Sequence, residues 1–448
     1  MSGVMQASNP AGTAAVPSNS MVPSETGSAL GAGHVAAGGL DVGNGMTTTL
    51  NRNAVVAPKV NGDALLRPAR PQLRLVEDAP PYVEELSALS GQTHSLHDLD
   101  IEPTRLHPLL ARALIERFSA RGEVVLDPAA RFGTAALEAL LAGREGRAAE
   151  THPVMASVCG AKISPSDIAE VALMCQSLGM RRPVGLESFR EHFSAHYDVE
   201  TYRELVTLRG MLGDSQARID NTVRAIALSL MHGPSAGYFS VAAPLGHALS
   251  TDEQHAFNVH RRQKPDYRSV LPRLLKRAAG TTRDGMPSFA LRARRKTVAT
   301  LINDPRRLEG VETASVDLVI TEPTLPVQAV AVGDRSWLRS WFVNSPARRA
   351  LSTQSWLTLM NESLLEWARV LKPNHRAVLV LGRFDGENEP ETLLAEMVRQ
   401  SLGRFFAVEG IVLERPRVDM VRGSRTTRAA GADEEVVGTA RVLVLKRR

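Results

Sequence analysis

Between Val124 and Pro153 the chain leaves little choice of fold. An apolar run, Val124-Val125-Leu126, stops at Asp127-Pro128, and Gly133-Thr134 opens a helical pattern from Ala135 to Leu141. A basic turn at Gly143-Arg144 leads to a short second strand that ends in an acid, Glu150. Strand, tight loop, helix, strand and acid make the first half of a nucleotide-binding α/β sheet. A helix N-terminus and exposed loop amides attract the anionic end of a ligand, and an acid at the tip of the second strand can accept from ribose hydroxyls. Asp127 and Glu150 are 23 residues apart, close to the roughly 20 expected between loop and ribose acid.

The stretch resembles the first motif of the S-adenosylmethionine-dependent amino-methyltransferases of DNA, which reads DPFCGSGTTLLEALLLGR and continues to an acid and a proline. Asp127, Pro128, Gly133, Thr134, Leu137, Glu138, Ala139, Gly143, Arg144 and Pro153 fall on that pattern without a gap. Glu150 falls on the ribose acid, and His152 replaces the usual Asn. The loop departs from the family at Ala129, Ala130, Arg131 and Phe132. There glycine serves close approach and positive φ, and Arg131 and Phe132 add bulk where the methionine end of the cofactor would lie.

Ser315 to Pro323 resembles the family's catalytic strand, SVDLVITSPPY. The resemblance implies that Glu322 and the Pro323 carbonyl accept hydrogen bonds from a target amino group and so orient its lone pair. Thr324 replaces the second proline, and Leu325 replaces the aromatic residue that stacks on an extruded base. Glu102 to Leu106 with Leu109 to Ile115 resembles the segment that closes over the cofactor. Leu301 to Asp304 resembles the third strand, whose acid, here Asp304, would meet the adenine amino group. Tyr238 to Val241 with Pro244, and Trp356 to Gly382, resemble further family segments.

The resemblance therefore implies a mostly parallel, Rossmann-like methyltransferase sheet with a terminal antiparallel strand pair and a helical insertion. Asp127, Pro128, Gly133, Thr134, Glu150 and Asp304 would bind S-adenosyl-L-methionine. The implied activity is methylation of an exocyclic base amino group of DNA. Two other readings stay open: a catalytically inactive relative that serves as a DNA-binding or assembly module, and methylation of a guanine amino group in RNA.

The rest of the chain fits one such domain. Residues 1–65 are rich in Gly, Ala, Ser, Thr and Asn with little charge, which predicts a disordered tail. Residues 66–122 form a lead-in and a helix from Pro108 to Ser119, and residues 123–448 the methyltransferase domain. Helical periodicity over about 165–290, as at Tyr202 to Leu212 and Asn221 to Met231, marks the insertion. Strands are expected near 297–302, 316–321, 377–382, 405–413 and 440–445, the last two antiparallel because no helical pattern joins them. A formal charge of +5 suits a polyanionic partner. Arg261, Arg262, Lys264, Arg268, Arg273, Lys276 and Arg277, with Arg294 and Arg295, form a candidate surface for double-stranded DNA, RNA being the alternative. Arg261, Arg262, Arg294 and Arg295 are its principal candidates, and a basic loop from Arg422 to Arg428 is a second. Trp337 and Trp341 are candidates for the missing stacking ring, though packing is the commoner role. Two cysteines and scattered histidines give no disulfide framework and no metal site. No apolar run reaches the ~20 residues of a membrane span, and a cytoplasmic location is expected.

Overall fold

The computed structural model describes residues 72–76, 82–87, 89, 91–102, 104, 106–180, 183–244, 248–294, 299–300, 304–324, 336–345, 351–381, 390–414 and 440–448. The segment 1–65, Arg295, Leu325 and the loop 422–428 lie outside them, as does the Arg294 side chain.

Among the described residues nine strands form one sheet: β1 (Gln72–Val76), β2 (Tyr82–Ser87), β3 (Val124–Asp127), β4 (Glu145–Ala149), β5 (Ala299–Thr300), β6 (Val316–Thr321), β7 (Leu371–Leu381), β8 (Phe406–Glu414) and β9 (Arg441–Arg447). Their order is β1-β2-β8-β9-β7-β6-β3-β4-β5. Strands β3 to β7 pair in parallel, whereas β9 is antiparallel to both β7 and β8. This is the mostly parallel sheet with a terminal antiparallel pair that the sequence predicts. β6 is buried along its whole length, which is why it reads as a nearly continuous apolar run. Its one acid, Asp317, accepts from Val124 N at 2.9 Å and Lys372 Nζ at 2.6 Å.

The lead-in departs from expectation. It contributes the antiparallel pair β1–β2, and β2 lies parallel to β8. Charged residues such as Arg74, Glu84 and Glu85 interrupt these short strands in the sequence, and they hide the apolar period.

Helices α1 (Pro108–Phe118), α2 (Thr134–Leu141) and α3 (Pro153–Ile163) belong to the α/β layers. The insertion holds α4 (Ile168–Ser177), α5 (Val199–Leu212), α6 (Arg218–Leu230), α7 (Thr251–Arg261), α8 (Val270–Thr281) and α9 (Ser288–Arg294). α10 (Trp337–Phe342), α11 (Thr353–Val370) and α12 (Pro390–Met397) follow β6 and β7. Alternate residues of the central strands serve opposite faces. Leu126, Val319 and Leu379 join the core under α11, while Val125, Leu318 and Val378 join the one under α1. A third core unites the insertion with α3 and α10.

Candidate functional site

From β3 the chain winds outward through β4 to β5, and from β6 it winds the other way to β7, so the strand order reverses between β3 and β6. Open α/β sheets bind ligands in the crevice beyond the carboxyl ends of the strands at such a reversal. Three acids stand there. Asp127 ends β3, Glu150 follows β4 and Glu322 follows β6, and all three are buried.

The loop between β3 and α2 is fixed from both sides. Gly133 caps α2 at φ +73°, and a Cβ there would lie 2.7 Å from Cys159 Sγ. Arg131 has φ +48°, a left-handed backbone that costs a non-glycine residue of order 1–3 kcal/mol. Its surroundings hold it there. The Arg131 amide donates to Glu150 Oε2 at 2.7 Å, and its guanidinium donates to Glu322 Oε1 at 2.5 Å and reaches Glu102 Oε2 at 3.5 Å. Phe132 does not obstruct the crevice as the sequence suggests. It is fully buried in the core formed with the insertion, beside Leu96, Leu99 and Val154. The bulk that remains at the crevice is Arg131 alone.

Glu322 accepts a further bond from the Leu106 amide at 2.9 Å, so the strap that leads to Leu106 is tied to the turn after β6. That strap is anchored by a buried ionic chain. Lys162 Nζ donates to Asp100 at 2.7 Å, and Glu138 binds His97 at 2.9 Å and Arg112 at 2.8 Å. Thr134, a predicted cofactor residue, stands 3.4 Å from Lys162 Nζ within it.

Glu150 takes the His152 amide at 2.8 Å on its other oxygen. Asp127 accepts from the Ala129 amide at 3.3 Å. Burial, opposed by hydrogen bonds to Thr321 and Ala129 and reinforced by Glu150 and Glu322, pushes its carboxyl up to about 7. Pro128 and Pro323 are buried beside these acids.

The remaining candidates have these surroundings. Asp304 is bound by Arg306, with 2.6 Å the shortest contact, and Arg306 also holds Glu362 of α11. Trp337 and Trp341 pack with Phe193 at ring distances of 5.4 and 4.6 Å, so they serve the core. On the basic surface Arg261, Arg262, Lys264 and Lys276 are exposed. Arg268 is buried and its guanidinium binds the carbonyls of Ser235, Tyr238 and Ser240. Glu123, Asp317 and His375 converge near the Lys372 ammonium, which already supplies a cation to Asp317. Among the described residues, no helix is long and apolar enough to cross a membrane.

No protein-family model matches the chain, and no curated protein matches it. Among solved structures, the rRNA methyltransferase aviRa from Streptomyces viridochromogenes is similar at 11% identity, over 80% of this chain and 96% of that one, with a TM-score of 0.30. A second structure of the same enzyme gives 12% and 0.27. A likeness this distant carries nothing about what this chain acts on.

Proposed function

We propose that this protein is an S-adenosylmethionine-dependent methyltransferase acting on an exocyclic amino group of a base in DNA. The observation that carries the reading is the gathering of Asp127, Glu150 and Glu322 at the reversal between β3 and β6. Glu150, an acid just past the end of β4, suits ribose hydroxyls, and the Asp127 end of β3 with the α2 N-terminus suits the rest of the cofactor. The cofactor supplies the methyl group. Glu322 and the Pro323 carbonyl hold the amino nitrogen and aim its lone pair. A bond to that nitrogen that strengthens as it becomes the nucleophile lowers the barrier.

One observation favours the inactive relative instead: Arg131 and the Leu106 amide already occupy the two oxygens of Glu322. Both readings meet in one assay, methyl transfer from labelled cofactor to duplex DNA, with RNA as a parallel substrate. For an enzyme, Glu322→Ala should lower turnover at least ~100-fold, the size of one preorganised contact. Arg131→Gly, which frees Glu322 and relieves the positive φ, should raise it. No transfer to either polymer by wild type or Arg131→Gly establishes the inactive module, and transfer to RNA alone moves the substrate to RNA.

A further inference from the structure

The strap begins with a short 3-10 helix, Ser95–Leu99, and leads past Asp100 to Leu106. At its start His97 is buried between two carboxylates. Its Nε2 lies 2.9 Å from Glu138 Oε1. Against burial, the bonds from His97 and Arg112 hold the Glu138 carboxyl below its usual range, so the carboxylate accepts and Nε2 carries the ring's proton. In the neutral ring Nδ1 is then a bare acceptor. It is buried, makes no hydrogen bond and stands 3.9 Å from Asp100 Oδ2. A second proton is what it would need to meet that carboxylate.

The charges around the ring already balance. Lys162 of α3, fully buried, donates to Asp100 Oδ1 at 2.7 Å, and Arg112 of α1 donates to Glu138 Oε2 at 2.8 Å. A proton on His97 would add an unmatched cation to a buried place, which costs free energy. Burial first, and the Lys162 ammonium second, keep the ring's pKa below its ordinary 6.5, against the pull of Glu138 and Asp100. Charged groups on the other helices packed against the strap have partners of their own. From α8, Arg277 and Arg283 act on Asp98, and Asp284 accepts from the Ser95 amide at 2.7 Å. From α6, Arg218 binds Glu170, Asp220 accepts from Ser215, and Arg224 binds Asn221 and the Gly213 and Ser215 carbonyls. His94, which caps the 3-10 helix, is a second titratable ring on the strap, with its Nε2 at the Gly285 carbonyl.

We propose that the strap is a proton-sensitive clamp with His97 as its joint, held on α2 and α3 while the ring is neutral and let go when the ring is protonated. A base that is favoured neutral in the closed state contributes stability that is present above its unfolded value of 6.5 and is lost as pH falls below it. Two parts of the crevice feel the clamp. Glu138 and Thr134 share α2, and Thr134 Oγ1 is 3.4 Å from Lys162 Nζ. At the far end of the strap the Leu106 amide bonds to Glu322. Release would loosen the predicted cofactor helix and remove the Leu106 bond from Glu322 together. What the clamp serves rests on the reading of the crevice as a methyltransferase site; the clamp itself does not.

The test is amide hydrogen exchange of the full chain from pH 8 to pH 5, for wild type, His97→Gln and Lys162→Met. Protection is read at Asp100, whose amide donates to the His97 carbonyl, and at Leu106, with the β6 amides as reference. Wild type should lose at least ~3-fold in protection at both amides below about pH 6.5, while β6 keeps its own. His97→Gln, whose amide can still donate to Glu138, should keep its protection at pH 5. Lys162→Met leaves Asp100 to the protonated ring, so there the loss in acid should vanish or reverse. Protection in wild type that is independent of pH, or that rises in acid, overturns the proposal. An equal acid loss in His97→Gln would put the effect on His94 or another group, and a loss shared by β6 would be global unfolding; either overturns it. If His97→Gln does not fold, Lys162→Met decides, and an unchanged acid loss there overturns the clamp. Neither cofactor binding nor methyl transfer enters this readout, so its failure leaves the proposed activity to its own assay.

Discussion

At the scale of single residues, the site is governed by burial of charge. An acid whose folded pKa is raised binds its proton more tightly in the folded state, so it lowers stability as pH rises from the unfolded value towards the folded one. For Asp127 that window runs from 3.8 to about 7. Asp127→Asn keeps an acceptor for the Ala129 amide and removes the charge. It should be more stable than wild type at pH 8 by up to a few kcal/mol, and the gap should close towards pH 4. Urea midpoints across pH measure this, and a gap independent of pH would show that Asp127 is not strained. Asp127 and Glu322 were legible in the sequence because each ends or follows a strand with a recognisable apolar run, and Glu150 because it stands at the motif's spacing from Asp127. The Arg131–Glu322 pair was not, since its members are 191 positions apart and no local pattern joins them. Arg131 could be seen to replace a loop glycine, but not that its own contacts hold the glycine-like backbone.

At the scale of elements, the sheet was readable and its outer edge was not. Apolar runs mark β3, β6 and β7, and the missing helical pattern before β9 gave its antiparallel pairing. β5 shows as two residues, Ala299–Thr300, within the expected 297–302, and β1–β2 were hidden by their charges. Close packing sets the αβ unit that presents Glu150. A Cβ on Gly146 of β4 would stand 2.4 Å from the Ala136 carbonyl of α2, too near for either backbone to yield cheaply. Gly146→Ala should therefore destabilise the fold by about 1–3 kcal/mol, the usual cost of overpacking. A thermal melt equal to wild type would mean that α2 can move away freely.

At the scale of the whole molecule, the question is how a polyanion would be held. The exposed cations Arg261, Arg262, Lys264 and Lys276 lie at the end of α7 and on through α8. Arg268 serves the fold instead, a distinction that charge counting could not make because a buried guanidinium and a solvated one read alike. Reversing those four charges together should weaken duplex binding and reduce its salt slope by up to about four. An unchanged slope would make them a merely solvated face.

On the proposed function, the reversal between β3 and β6 holds S-adenosylmethionine through Glu150. Calorimetric titration of the full chain with the cofactor, wild type beside Glu150→Ala, tests it most directly. Wild type should give saturable heat, at weak affinity because Arg131 crowds the crevice, and Glu150→Ala should lose it. No heat from wild type at millimolar cofactor, or equal binding by both proteins, would contradict it.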